Sequence, residues 1–352
     1  MMKLSIVIMA GGSGKRFWPF SRETRAKQSL KLFSDKTLLA ETIERIESLA
    51  EDILIVSSLK QRDEIEKDAV KYKNVKVVYE PCGRNTAPCI MLALATIKSR
   101  SDGEERAVLV LPSDHYVADP EGFRKAVATG LCFLEKNRDS IGTIGIEPVY
   151  PETGFGYIKK GDAAGNGVFE VASFEEKPCL EKAESFVRSG NYLWNGGIFL
   201  FSLSNMLDEF KKLAPDIYET VNSLSSFDSP ASSVYADIRS ISFDYAVMEK
   251  TEKPIFTVPG NFGWNDVGSW KAYFDLLPKD SSGNAKVGKG NFINCRNSFI
   301  ANLTEKEIVM FNKERELFVV TEDALFSASL DDHSKMREIT EFLSDNNLKK
   351  LL

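Results

Sequence analysis

The stretch from Leu4 to Phe33, L-S-I-V-I-M-A-G-G-S-G-K-R-F-W-P-F-S-R-E-T-R-A-K-Q-S-L-K-L-F, leaves this chain few folds to choose from. Leu4 to Met9 is an apolar run rich in β-branched residues. It ends in Gly11, Gly12, Ser13 and Gly14, which predicts a buried strand delivered into a tight loop. Small residues let the main chain close on a ligand, and successive N–H groups in such a turn make a concave donor site for phosphate or a nucleobase edge. From Lys15 to Lys31 the basic residues Lys15, Arg16, Arg22, Arg25, Lys27 and Lys31 face a single acid, Glu23. That surrounding suits a polyphosphate.

Two glycine-loop patterns are excluded. Anchoring Gly14 and Lys15 on the P-loop pattern G-x-x-x-x-G-K-[ST] puts Met9 at the first glycine and Arg16 at the metal-binding hydroxyl. In G-x-G-x-x-G, Gly12 and Gly14 fit, but Phe17 holds the third position, where close helix–strand packing needs a glycine. A Rossmann oxidoreductase is disfavoured on that ground.

Downstream, apolar runs and helical periodicities alternate. Strands are expected at Ile53 to Val56, Val75 to Tyr79, Ala107 to Leu111 and Thr143 to Ile146. Helices are expected around Leu39 to Leu49, from a Ser58/Gln61 capping box to Tyr72, from Thr86 to Lys98 and from Phe123 to Leu134. This alternation predicts an α/β fold with a Rossmann-like, mixed, mostly parallel sheet flanked by helices. Ligands of such sheets bind beyond the carboxyl ends of the strands, where Gly11 to Arg16, Glu80 to Thr86 and Pro112 to His115 fall. Glycine-separated runs from Tyr150 to Lys177 predict antiparallel hairpins. A buried run at Gly197 to Phe201 and helices around Leu180 to Ser189, Met206 to Leu224 and Tyr245 to Lys250 follow. Short strands fill Gly283 to Ser329, and a terminal amphipathic helix carries Met336, Ile339, Phe342 and Leu343 on one side. The expected division is a domain over 1–282 and a small β-rich domain over 283–352.

A chain of 352 residues, 43% hydrophobic and 27% charged, can bury a sizeable core. Its net charge of −6 argues against a general nucleic-acid or anionic-membrane surface, so an anionic ligand must be held locally. Five cysteines without C-x-x-C spacing and two histidines, His115 and His333, argue against a disulfide framework or a zinc site. No apolar run is long enough to cross a bilayer, and the start lacks a signal peptide's cleavage pattern; a reduced, cytoplasmic protein is expected.

Gly-Gly-x-Gly-x-Arg, then Trp18-Pro19, then Lys27-Gln28, resembles the signature of sugar-nucleotide pyrophosphorylases, and more closely that of the mannose-1-phosphate guanylyltransferases. The resemblance runs nearly the whole chain. Glu80 to Pro88 looks like the family's E-P-x-x-R-N-T-A-P segment, which implies contact with guanine and ribose. Glu152 to Ile158, Phe174 to Pro178 and Leu193 to Gly197 are similar to the sugar-phosphate side. The resemblance implies a nucleotidyltransferase fold with a left-handed β-helix-like C-terminal domain, and the reaction of GTP with α-D-mannose 1-phosphate to give GDP-mannose and diphosphate. It further implies Arg16, Lys27 and Lys177 as catalytic cations, and Gly11, Gly12, Gly14, Gly83, Asn85, Thr86 and Ser113 around the nucleotide. Gly154, Glu176, Lys177 and Asn195 then fall to the sugar phosphate, with Mg²⁺ on Asp114 and Asp266. Chemistry agrees in part: magnesium takes carboxylates together with phosphate oxygens, a hexose 1-phosphate needs carboxylate and amide partners for its hydroxyls, and its dianion needs a cation.

As neighbours on a strand, Glu176 and Lys177 are expected to point to opposite faces, and a surface charge pair is the plainer reading. Asp244 to Glu249 is also family-like but reads equally well as a packing helix. Ala26, Ser29, Lys31 and Lys15 depart from the family pattern, which leaves the conformation of Arg22 to Lys31 open. Alternatives are a nucleotidyltransferase for another sugar 1-phosphate or a non-catalytic subunit binding a nucleotide sugar. No nucleic acid or membrane partner is expected, a homodimer is left open, and a fused isomerase activity is not expected with only His333 in the tail.

Overall fold

The computed structural model describes residues 2–12, 14–228 and 230–351. The chain divides into two compact units, Met1–Gly11 with Thr42–Trp264, and Gly12–Glu41 with Asn265–Leu352. These units follow a different line from the expected 1–282 and 283–352, because residues 12–41 pack with the C-terminal segment.

In the first unit, β1 (Lys3–Ala10), β2 (Asp52–Ser58), β3 (Val75–Glu80) and β4 (Arg106–Pro112) form a parallel array. Ile8 is in register with Ile55 on one side and Leu111 on the other. After the short β5 (Tyr116–Val117), the sheet continues through β6 (Ile141–Ile146), β7 (Gly156–Gly165), β8 (Val168–Glu176), β9 (Tyr192–Ser202) and β10 (Ile255–Gly260). The order is β3-β2-β1-β4-β9-β6-β10-β8-β7, and β7 also pairs with β9. Strands β8 and β9 run against the other members, so the sheet is mixed, with most strands in one direction. The hairpin β7–β8 bears out the reading of Tyr150 to Lys177.

The helices are α1 (Leu38–Ile46), α2 (Arg62–Ala69), α3 (Thr86–Arg100), α4 (Pro120–Lys136), α5 (Leu180–Ser189), α6 (Leu203–Leu213), α7 (Pro215–Asn222) and α8 (Ser232–Ala236). Every residue of α3 from Ala87 to Ile97 is buried, as expected of a helix apolar on all sides. Side chains alternate along β9: Phe199 and Phe201 enter the core with α3 and α6, whereas Leu200 meets α4 at Gly130. The sheet therefore carries helices on both faces.

Three local expectations change. Ser58 caps only a 3₁₀ turn, Leu59–Gln61, because the Gln61 amide oxygen accepts the Ser57 hydroxyl, and α2 starts at Arg62. The single helix expected over Met206 to Leu224 breaks into α6 and α7 at Ala214–Pro215, since proline cannot donate within a helix. The expected helix over Tyr245 to Lys250 is a π-turn, Asp244–Met248.

The second unit begins its C-terminal part near β11 (Trp264–Asn265) and includes α9 (Trp270–Leu276). It then stacks β12 (Ala285–Val287), β13 (Asn291–Ile293), β14 (Phe299–Asn302), β15 (Val309–Phe311), β16 (Glu316–Val320) and β17 (Leu325–Ser329) before α10 (Met336–Asp345). Ladders β12–β14, β14–β16 and β13–β15 are parallel, and β16–β17 is antiparallel. On α10 the buried stripe is Met336, Thr340 and Leu343; Phe342, off that stripe, is exposed.

An aromatic cluster holds this unit together. The Trp270 ring lies 5.1 Å from Phe17, 4.9 Å from Phe20 and 6.1 Å from Phe299, and its Nε1 donates to the Trp18 carbonyl at 3.2 Å. The Tyr273 hydroxyl donates to the Leu32 carbonyl. The signature segment is thus rooted on α9 and β14. Trp270→Ala should cost about 3–5 kcal/mol of stability, read as a lower urea midpoint. A loss below about 1 kcal/mol would contradict this packing.

Candidate functional site

In the second unit, the loop that follows β1 closes on itself. Gly14 has φ +61°, and a Cβ there would stand 2.4 Å from the Lys27 backbone nitrogen, so only glycine fits. The Gly14 carbonyl accepts the Ser21 hydroxyl at 2.6 Å and the Phe17 N–H at 3.1 Å. Arg16, in the 3₁₀ turn Lys15–Phe17, is exposed. Lys27 opens a second 3₁₀ turn, Lys27–Ser29; it is buried, and its ammonium donates to the Asp266 carbonyl. Gln28, also buried, reaches the Gly12 carbonyl at 3.5 Å.

The Asp266 loop is set by its own side chains. Asp266 Oδ1 accepts the Gly268 N–H at 3.1 Å, and Asn265 Oδ1 accepts the Val267 N–H at 2.7 Å. Between them Val267, β-branched and buried, sits at φ +45°. Such strain costs on the order of 1–3 kcal/mol and persists only where surroundings over-determine it. The structure therefore brings Gly12, Gly14, Lys27 and Asp266 together. It also fixes the segment left open by the sequence: the Arg22 guanidinium pairs with Asp323 at 2.8 Å and lies over Trp18, so one of the six cations is structural.

In the first unit, the predicted nucleotide residues line the carboxyl ends of β1, β3 and β4. Glu80 Oε2 lies 3.1 Å from where a Cβ of Gly11 would stand. Gly83 is exposed, and Asn85 caps α3, its Oδ1 accepting the Thr86 N–H at 2.8 Å. Thr86 does other work: its hydroxyl accepts the Phe243 N–H at 2.8 Å. Ser113 is buried; its N–H donates to the Met9 carbonyl at 3.1 Å, and its carbonyl accepts the Thr42 hydroxyl at 3.2 Å. Asp114 follows, with Oδ1 3.9 Å from His115 Nε2, and His115 Nδ1 is 3.2 Å from Trp264 Nε1.

The sugar-side residues form a second group. Gly156 of β7 is in register with Glu176 of β8 and Asn195 of β9. A Cβ on Gly156 would stand 2.4 Å from Glu176 Oε2, so the missing side chain makes room for the carboxylate to fold across the sheet. The expectation that Glu176 and Lys177 point apart is overturned, because β8 ends at Glu176 and Lys177 turns back at φ +47°. Lys177 Nζ then meets Glu176 Oε1 at 2.8 Å, and the carboxylate holds the ammonium above its usual range. The Gly154 N–H is taken by Glu152 Oε1 at 2.7 Å, and the carbonyl of the next residue, Phe155, accepts the Lys177 N–H at 3.2 Å.

Sequence reasoning missed two features. Asp244 Oδ1 accepts Asn195 Nδ2 at 2.7 Å. Burial, and then Glu176, raise its carboxyl pKa. Rings of His115, Trp264, Phe155, Trp194 and Tyr150 meet in succession, edge to face, at centroid separations of 5.1, 5.4, 5.4 and 4.9 Å. Among the described residues, no cluster of three or more His, Cys, Asp or Glu side chains is placed to hold a metal.

Glu80 is buried with its Oε1 accepting the Tyr235 hydroxyl at 2.6 Å, and burial pushes its carboxyl up to about 7. Because the folded value lies above the unfolded one, Glu80 favours folding below its ordinary value near 4.5, and that contribution is lost as pH rises through about 7. The displacement corresponds to on the order of 3 kcal/mol. Glu80→Gln, which keeps an acceptor for Tyr235, should be more stable than the native chain at pH 8 and converge with it near pH 4.5. Parallel stability curves across that range would contradict the assignment.

A model of the nucleotidyl transferase family matches residues 5–283. The chain is 36% identical to a mannose-1-phosphate guanylyltransferase of Salmonella muenchen over 99% of its own length and 75% of that protein's. It is 36% identical to the xanthan biosynthesis protein XanB of Xanthomonas campestris pv. campestris (strain B100), covering 95% of this chain and 72% of that one. The crystal structure of mannose-1-phosphate geranyltransferase from Thermus thermophilus superposes with a TM-score of 0.86 at 32% identity, covering 97% of this chain and 100% of that one. With a mixed α/β fold, a glycine loop and a family match running through most of its length, the chain belongs to the nucleotidyl transferase family.

Proposed function

We propose that this chain is a mannose-1-phosphate guanylyltransferase, joining GTP and α-D-mannose 1-phosphate to give GDP-mannose and diphosphate. The observation that carries the reading is the grouping of Lys177, Glu176 and Asn195: one cation for a phosphate beside a carboxylate and an amide for hydroxyls. Relatives bearing that activity as their name, matched over nearly all of this chain, support it further.

The sugar phosphate is ionised near neutral pH, so its oxygen attacks the α-phosphorus of GTP without a general base. A bond forms between that oxygen and the α-phosphorus, the bond to the bridging oxygen breaks, and diphosphate leaves with the electron pair. Catalysis is then positioning and charge neutralisation. Arg16 and Lys27 are assigned to the departing diphosphate, and Lys177 to the incoming phosphate. The carbonyl of Asp266 orients the Lys27 ammonium. Asp114 and Asp266 suit magnesium, being hard oxygen donors in turns with partly accessible side chains. Magnesium on either carboxylate would offset phosphate charge. Gly11, Gly12, Gly14, Gly83, Asn85 and Ser113 are assigned to the nucleotide.

The same reading makes the stacked strands from β12 a left-handed β-helix-like coil. Parallel registers such as Phe299↔Leu317 and Asn291↔Val309, and left-handed corners at Asn294, Asn297 and Asn312, support a coil. It also makes the enzyme cytoplasmic, which five cysteines free of disulfides support; no helix among the described residues is long and apolar enough to cross a membrane.

Lys27→Ala and Asp266→Asn, each folded as judged by circular dichroism, should lose about a hundredfold or more in diphosphate release. Near-normal turnover in both would remove these residues from the mechanism.

A further inference from the structure

Asp244 has no role in the reaction as derived above, yet it is held with more care than a surface acid needs. It opens a π-turn in which the Glu249 N–H reaches back to the Asp244 carbonyl at 2.9 Å, a local widening common at functional sites. Phe243 on one side and Ala246, Val247 and Met248 on the other are buried in the core, and the Phe243 N–H is tied to Thr86. The turn is therefore anchored at both ends, and Asp244 stands on a rigid base.

Its partner is Asn195. An amide side chain has two chemically opposite ends, and at Asn195 both have assigned partners. Oδ1 accepts the Gly197 N–H at 3.1 Å, and Nδ2 donates to Asp244 Oδ1 at 2.7 Å. A flipped amide would set nitrogen against an N–H and oxygen against a carboxylate, so both bonds favour the same orientation. One Nδ2 hydrogen is used on Asp244, which leaves the other as a donor. On β8, on the other side of β7, the Glu176 carboxylate is an acceptor folded across Gly156 towards Asn195. A donor beside an acceptor is the pair that a single hydroxyl satisfies, giving its hydrogen to the carboxylate and taking one from the amide.

We infer that Asp244 is a positioning residue for sugar recognition, locking the Asn195 amide so that its nitrogen, and not its oxygen, faces the sugar hydroxyl held with Glu176. This rests on the reading that a sugar 1-phosphate binds at Glu176, Lys177 and Asn195. Without Asp244 only the Gly197 N–H opposes a flip of the Asn195 amide, and the flipped amide sets two acceptors against one hydroxyl. A site that leaves buried polar groups unpaired loses affinity for its ligand steeply.

The experiment is a cycle of Asp244→Ala, Asn195→Ala and the double variant, with Asp244→Asn alongside, on the full chain. KM for mannose 1-phosphate, KM for GTP, kcat and the thermal midpoint are measured for each. Asp244→Ala should raise KM for the sugar phosphate about tenfold and leave KM for GTP within about twofold. Asp244→Asn, which keeps an acceptor oxygen, should recover most of the loss. The double variant should be no worse than Asn195→Ala alone, since Asp244 acts through that amide. Multiplying effects in the double variant, or an equal rise in both KM values, would overturn the inference. If Asp244→Ala does not fold, Asp244→Leu takes its place in the cycle with the same expected outcomes. Failure of the underlying reaction would appear in the native chain as absence of turnover, whereas failure of this inference would appear only in the variants.

Discussion

Everything about the glycine-loop segment depends on a contact that admits no side chain: Gly14 against the backbone of Lys27. That approach joins two 3₁₀ turns, Lys15–Phe17 carrying Arg16 and Lys27–Ser29 opening on Lys27. A cation on a flexible stem loses entropy when it grips an anion; here much of that cost is met on folding, since Lys27 is already buried and bonded to the Asp266 carbonyl. Phe17, Trp270, Tyr273 and Phe299 form the floor under both turns. The β-rich segment is thus a foundation for the signature residues in its own unit. The strained Val267 beside Asp266 is tolerable for the same reason, because the floor around it is rigid.

The other unit solves a different problem, how to keep two carboxylates and one ammonium close without neutralising their use. Burial, and then repulsion from Glu176, raise the Asp244 carboxyl, and Lys177 is drawn to both. Holding all three costs desolvation, and the sheet supplies compensation: Gly156 leaves space for one carboxylate, and the Asn195 amide bonds the other. Exposed pairs such as Lys177 and Glu176 contribute little stability by themselves. On the proposed function, their arrangement is preorganisation for a ligand that bears both a charge and hydroxyls.

The fold was legible where period and punctuation were strong. Ile53 to Val56 and Ala107 to Leu111 are unbroken apolar runs and Leu4 to Met9 is interrupted only by Ser5, and the structure makes each a parallel strand. The caps and turns were read less well, because they depend on which of several small polar groups wins: Gln61 chose Ser57 over the capping box, and Pro215 split a helix whose apolar spacing continued across it. The β9 strand entered against its neighbours, a topological choice that local pattern does not record. Among the candidate site residues, Lys27, Glu176 and Asn195 were named by motif. Lys177 was misdirected because alternation along a strand fails at a residue with positive φ. Asp244 was passed over because its family-like turn also reads as packing; its contact with Asn195 joins residues 49 apart in sequence. The grouping of residues 12–41 with the C-terminal segment rests on contacts such as that of Trp270 with Trp18, 252 positions apart and beyond the reach of any window.

The most direct measurement is diphosphate release by the native chain with Mg²⁺, crossing GTP, ATP, UTP and dTTP with the 1-phosphates of mannose, glucose, galactose and fucose. Release confined to GTP with mannose 1-phosphate is the result this account predicts. Release with a different pair would leave the chemistry standing and overturn the substrate assignment. No release from any pair, with a nucleotide sugar still bound, would contradict the catalytic reading and point to a binding subunit.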